Sequence, residues 1–152
     1  AAATPAPPPA TGAPATPAAH GAPRVLVAED NPVNQKVAMR FLRSIGQSAT
    51  LVTNGQEALE ELRRHPYELV FMDVQMPIID GLEATRLIRK AQAEGDPLIP
   101  AKLHIVAMTA NALSGDREIC LGAGMDDYIP KPLSPESVGA MLERYLGPAQ
   151  RG

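Results

Sequence analysis

The stretch LVFMDVQMPIIDG, residues 69–81, decides how this chain folds. It opens as Leu69-Val70-Phe71-Met72, a continuous apolar run of the kind found in strands buried on both faces. The run stops at a carboxylate, Asp73. A charge is seldom placed at the end of a buried strand without a partner or a task. Met76-Pro77 and Asp80-Gly81 then read as loop and turn. One acid therefore stands at the C-terminal mouth of a central strand, and the rest of the chain must supply its surroundings.

Upstream, Arg24-Val25-Leu26-Val27-Ala28 reads as a short buried strand that ends on Glu29-Asp30. Asn31 is placed to cap a helix, with Pro32 in its first position. Val33, Val37, Phe41 and Ile45, with Ala38 and Leu42, are expected to form its apolar face, and Gly46 to end it. Residues 48–53 predict a second strand. Asn54 caps the next helix, with Glu57 placed for a capping-box contact. Ala58, Leu59 and Leu62 face inward, and His65-Pro66 closes that helix. Downstream of Asp73, Asp80 caps a helix to about Ala93, with Leu82, Leu87 and Ile88 as its apolar face. A polar loop leads to a fourth strand, 103–108, ending in Thr109. Ser114 is expected to cap a short helix to about Leu121, broken by Gly122-Ala123-Gly124. Residues 127–130 predict a fifth strand running into Lys131. Ser134 and Pro135 open the last helix, whose stripe is Val138, Met141, Leu142, Tyr145 and Leu146, and Gly147-Pro148 stops it. Strand and helix alternate strictly, which predicts an α/β fold: a doubly wound parallel sheet of five strands with helices on both faces.

The 152 residues suit one domain. Residues 1–23 hold ten Ala and seven Pro with no apolar periodicity, and read as a disordered linker to a missing upstream region. The domain is expected over 24–147, with a flexible tail over 148–152. A net charge of −3 with mixed signs advertises no nucleic-acid surface. No apolar run approaches the roughly 20 residues that span a bilayer. The single cysteine, Cys120, is expected to be a buried apolar residue, compatible with a reducing, cytoplasmic setting. His65 is expected to be an exposed helix-end residue, and His104, which lacks a second ligand at metal spacing, a strand-edge residue.

In a parallel open sheet the strand C-termini share one edge, and sites form there. The first strand brings Glu29 and Asp30 to it, the third Asp73, the fourth Thr109 and the fifth Lys131. Two unit charges 4 Å apart repel by about 4 kcal/mol at an effective dielectric of 20, so converging carboxylates need a bound cation or a raised pKa. All-oxygen ligands at a small mouth suit Mg²⁺. Lys131 adds a fixed positive charge and Thr109 a hydroxyl, a set that suits a phosphoryl group, with Asp73 as nucleophile.

Four stretches, VLVAEDNPVNQKVA (25–38), LVFMDVQMPIIDG (69–81), IVAMTANAL (105–113) and GAGMDDYIPKPL (122–133), resemble in order the motifs of receiver domains of two-component response regulators. The resemblance covers 24–146 and implies the strand order 2-1-3-4-5. It implies that Asp73 accepts a phosphoryl group from a phosphohistidine, in a Mg²⁺-dependent reaction. Asp30, Asp73 and the backbone carbonyl of Gln75 would hold the ion, and Glu29 would bind it through water. Thr109 and Lys131 would bind the phosphoryl group, and Tyr128 would change rotamer with Thr109. Gln75 and Asn111 would tune phosphate loss. Lys131-Pro132 resembles a cis position of the family. The EDNxxNQ and MDVQMPxxDG forms look most like receivers of hybrid sensor histidine kinases, so the parent chain could be a membrane-anchored kinase.

The resemblance implies as partner a histidine kinase dimerisation domain or a histidine phosphotransfer protein. By this reading the domain is a self-phosphorylating switch and not a turnover enzyme. Two alternatives are a phosphohydrolase working through an aspartyl-phosphate and a receiver-like interaction module that never takes phosphate. Gln75, where such hydrolases place a second acid, weighs against the first. The full set of acids, Thr109 and Lys131 weighs against the second.

Overall fold

The computed structural model describes residues 25–100, 102–110 and 115–146. The expectations for the 1–23 linker, Arg24, Asn111, the Ser114 cap, the Gly147-Pro148 stop and the 148–152 tail lie outside the described residues. In chain order the elements are β1 (Val25–Ala28), α1 (Pro32–Ser44), β2 (Ala49–Val52), α2 (Gly55–Arg64) and β3 (Leu69–Asp73). They continue as α3 (Gly81–Ala93), β4 (His104–Thr109), α4 (Asp116–Ala123), β5 (Asp127–Pro130) and α5 (Pro135–Leu146). All five strands pair in parallel in the order β2-β1-β3-β4-β5, as expected.

Alternation within each strand builds two cores. Leu26, Val70, Met72, Ile105 and Ala107 point to the side covered by α2, α3 and α4, where they meet Leu62, Ile88 and Cys120. Val25, Val27, Phe71, Val106 and Met108 point to the side of α1 and α5, where they meet Leu42, Val138 and Leu142. Burying each such side chain stabilises the fold by about 1.5–3 kcal/mol, so β3, buried along its whole length, is anchored from both faces. No helix among the described residues is long and apolar enough to cross a membrane.

Several local expectations change. Val33 is 68% exposed and does not join the apolar face of α1. At 100° per residue it lies about 140° and about 180° around the helix from Ala38 and Leu42, which are the residues that face the sheet. In α3 the buried residues are Gly81, Ala84, Thr85, Ile88 and Ala91, while Leu82 and Leu87 are only half-buried. Helix α4 continues through Gly122, and the break is Gly124 alone, at φ +111°. A Cβ there would also meet Arg89 Cγ at 2.7 Å.

Helix entries follow their caps. Asn31 accepts from the Val33 and Asn34 N–H groups, Asp80 from Glu83 N–H, and Ser134 from Ser137 N–H. At α2, Asn54 accepts from Glu57 N–H at 2.8 Å, but the Glu57 carboxylate reaches past the cap to Thr53, taking its N–H at 2.7 Å and its hydroxyl at 2.9 Å. Those two donors hold the Glu57 carboxyl below the usual carboxylate range. A depressed folded-state pKa contributes stability that is full above the unfolded pKa, near 4.3, and is lost as pH falls through the lower folded value. Glu57 is exposed, so solvent screening keeps the effect small. Glu57→Gln should lower stability by less than about 0.5 kcal/mol at pH 7, and the difference from the parent should shrink in urea melts as pH drops below 4. A difference that grows in acid would contradict this assignment.

Candidate functional site

The carboxyl edge of the sheet collects the expected residues because each strand ends on one. Asp73 is the last residue of β3 and Thr109 the last of β4, while Glu29-Asp30 and Lys131 directly follow β1 and β5. Ladder bonds continue past the strands and set the register of these ends: Val74 N–H donates to Met108 O, Lys131 N–H to Thr109 O, and Glu29 N–H to Val52 O. The edge is also where the chain order reverses between β1 and β3, which opens a crevice between their loops.

Carboxylate oxygens of Glu29, Asp30 and Asp73 lie within 4.8 Å of one another. Their environments differ: Asp30 is exposed, whereas Glu29 and Asp73 are buried at 1% and 3% exposure. Lys131 Nζ sits 2.9 Å from Asp73 Oδ1 and 3.3 Å from Glu29 Oε1. The Lys131–Pro132 peptide is cis. Gln75 N–H donates to the same Asp73 Oδ1 at 3.2 Å. Asn31 N–H donates to Glu29 Oε2 at 3.0 Å, yet the buried Oε1 has no hydrogen bond, only the nearby lysine charge.

Burial pushes the Glu29 carboxyl up, helped by the Asp73 carboxylate and opposed by Asn31 N–H and the Lys131 charge. Burial alone would depress Lys131; the Asp73 hydrogen bond and the two carboxylate charges outweigh it and hold the ammonium above its usual range. Among the described residues Lys131 thus pairs with two members of a three-acid cluster. Glu29 Oε1, buried and without a hydrogen bond, and an all-oxygen donor set fit a hard divalent ion such as Mg²⁺.

Two spaces adjoin Asp73. A cleft of about 640 Å³ lies over the acids, bordered by Pro32, Asn34, Met76 and Pro77. A cavity of about 40 Å³ is lined by Asp73, Met108, Thr109, Ala110 and Lys131. The smaller one has room for one water-sized group, the size of a single phosphoryl oxygen, next to Thr109.

The remaining candidates fall as follows. Tyr128 is half-buried on β5, paired across the ladder with Ala107. Cys120 is buried and His65 exposed, as expected. His104 starts β4, at the opposite end of the sheet, with its ring 4.5 Å from that of Tyr145. Two contributors escaped the sequence reading. Asn31 N–H holds Glu29, and the Gln35 side chain donates to Glu29 O at 2.7 Å. The signal was available: Asn31 and Gln35 are two amide residues at a helix start, one and five residues after an acid pair.

The family model of the response regulator receiver domain matches residues 25–143. Hybrid signal transduction histidine kinase K of Dictyostelium discoideum is 41% identical over 130 residues, which is 84% of this chain and 11% of that protein. The chain spans only a small part of such relatives, between 7% of hybrid signal transduction histidine kinase I of Dictyostelium discoideum and 16% of probable histidine kinase 1 of Oryza sativa. Among solved structures, the chain is similar to the receiver domain of sensor histidine kinase PA1611 from Pseudomonas aeruginosa, with a magnesium ion coordinated in its active-site cleft. The TM-score is 0.71, at 44% identity over 83% of this chain and 99% of that one. It is also similar to the co-crystal structure of the Saccharomyces cerevisiae histidine phosphotransfer protein Ypd1 with the receiver domain of Ssk1. There the TM-score is 0.74, at 32% identity over 84% of this chain and 90% of that one.

Proposed function

From the premise that this chain belongs to the response regulator receiver domain family, we propose that Asp73 is the residue on which this phosphoacceptor domain takes its phosphoryl group. The observation that carries the reading is Asp73 itself: a buried carboxylate at a strand end, paired at 2.9 Å with Lys131 and sharing its edge with Glu29 and Asp30. Lys131 Nζ and Gln75 N–H both bind Asp73 Oδ1, and Oδ2 is the oxygen proposed to attack. In the transfer, the P–N bond of a phosphohistidine breaks and a P–O bond to Asp73 forms. The imidazole leaves with the electron pair and takes up a proton.

Asp30, Asp73 and the Gln75 carbonyl would hold Mg²⁺, with Glu29 acting through water. When bound, the ion neutralises charge on the phosphoryl oxygens. The chain's own residues do the rest. Lys131 fixes the carboxylate before transfer and stays close enough to pair with a phosphoryl oxygen after it. Thr109 lines the small cavity that the oxygen would enter. Movement of Thr109, followed by Tyr128, would shift the population of the β4–α4–β5 surface and provide the output. Gln75 and Asn111 are the proposed tuners of phosphate lifetime.

A histidine-bearing helical domain is the proposed donor, from a histidine kinase or a histidine phosphotransfer protein, and the parent chain is proposed to be a hybrid sensor histidine kinase. Two exposed apolar side chains beside the acid cleft support such docking: Val33, 68% exposed in the first turn of α1, and Ile78, 78% exposed in the β3–α3 loop.

Adding Mg²⁺ and beryllofluoride, a stable mimic of the phosphoryl group, tests the reading on the isolated chain. Amide resonances of Asp73, Thr109 and Lys131 should shift, and omission of Mg²⁺ should abolish the shift. Resonances that stay in place under saturating mimic would remove Asp73 as the acceptor.

A further inference from the structure

The loop from Val74 to Asp80 carries the groups next to the acceptor, and it is bent in a costly way. Ile78 has φ +70°, a conformation that β-branched residues rarely adopt. Ile79 N–H donates across it to Pro77 O at 2.8 Å, which closes a γ-turn. Ile78 is 78% exposed, so packing of its own side chain does not hold the bend. Strain of this kind persists only where the surroundings enforce it. Two hydrogen bonds to loop backbone do so: Gly81 N–H to Val74 O at 3.0 Å, and Gly55 N–H to Ile79 O at 2.9 Å. The first is local to the loop. The second comes from α2, a different unit of the fold.

Gly55 suits this contact in two ways. It opens α2, so its N–H has no acceptor within the helix and is available to the loop. It is also buried so closely that an added Cβ would stand 2.4 Å from Ile79 O and 3.0 Å from Ile79 Cβ. We propose that Gly55, eighteen residues before Asp73 and outside the acid cluster, is a positioning residue for phosphoryl acceptance: its bond to Ile79 O holds the strained loop in the shape that keeps Gln75 against Asp73. The inference rests on Asp73 and its neighbouring acids being the Mg²⁺ and phosphoryl site.

The consequence is a linkage. Where opening of the Gly55–Ile79 bond undoes the site, filling the site must suppress that opening by the same factor. Moving Ile79 O from 2.4 Å to an ordinary contact near 3.4 Å requires a loop shift of about 1 Å, enough to cost up to about 100-fold at a reacting centre.

Two measurements on the full chain test this. In Gly55→Ala, Mg²⁺ affinity, followed by titration of the Val74 and Gln75 amides, should fall at least about 10-fold. Phosphoryl uptake from acetyl phosphate should slow comparably, at a temperature where thermal melts show the variant folded. In the unmodified protein, hydrogen exchange at the Gly55 amide should slow at least several-fold on saturation with Mg²⁺ and beryllofluoride, while Leu62 at the far end of α2 stays unchanged. A folded Gly55→Ala with unaltered Mg²⁺ affinity, or a Gly55 amide indifferent to saturation, overturns the inference and leaves the site reading intact. The exchange measurement decides alone where the variant does not fold. Failure of the unmodified chain to bind Mg²⁺ overturns the site reading, and this inference with it.

Discussion

Asp73→Asn should lose phosphoryl uptake by at least about 10³-fold, measured as the mass gain of intact protein after incubation with a small phosphodonor and Mg²⁺. Asparagine has the same shape, so the site keeps its packing, but its amide oxygen is a poor nucleophile and carries no charge to pair with Lys131. The effect on stability should be far smaller. Replacement removes the ion pair at 2.9 Å and also the repulsion between Asp73 and the buried Glu29. These contributions oppose each other, and the net change should stay within about 1 kcal/mol in urea unfolding. Loss of uptake with retained folding is the expected pair of results. Undiminished uptake by the asparagine variant would transfer the acceptor role to another carboxylate, with Glu29 and Asp30 the other members of the cluster.

Gly81→Ala should be the most damaging glycine-to-alanine substitution among the described residues. Its Cβ would stand 2.1 Å from Asp73 O, 2.9 Å from Asp73 C and 2.9 Å from Met72 Cγ. The obstructing atom is backbone at the end of a fully buried strand, so it cannot rotate away. Either the first turn of α3 lifts off, breaking the Gly81 N–H bond to Val74 O, or Asp73 moves with its peptide. Overpacking of this severity costs about 3 kcal/mol or more, which for a domain of this size lowers the thermal midpoint by about 10 °C or more. Gly122→Ala is the matched control: Gly122 lies within α4 with nothing within 4 Å of its would-be Cβ. It should be neutral or stabilising by up to about 1 kcal/mol. Equal stability of the two variants would contradict the packing described here.

Much of this was legible before any coordinates. The apolar runs at 25–28, 69–72 and 105–108 have no polar alternation, so they belong to strands covered on both faces. The acids that close the first two runs could be assigned to one sheet edge from parallel topology alone. Caps at Asn31, Asn54, Asp80 and Ser134 set helix starts, because each is a local bond between a side chain and a backbone two or three residues away.

Direction and distance were not legible. Val33 belongs to an apolar series in sequence but turns away from Ala38 and Leu42 on the helix. Glu29 and Asp30 are neighbours with equal chemistry, yet one is buried under Lys131 and the other faces solvent. Gly55 looks like a routine helix-start glycine until Ile79 O is found against it.

The stretch at 69–81 thus contained in its own residues the central strand, its terminal acid and the turn that follows. Those are properties of nearest neighbours, written in hydropathy and turn chemistry. Only the tertiary structure decided that Lys131, fifty-eight residues later, pairs with Asp73, that Glu29 Oε1 is left without a hydrogen bond, and that α2 holds the acceptor loop. These contacts join segments far apart in the chain, and their geometry depends on strand register and helix packing summed over the whole fold.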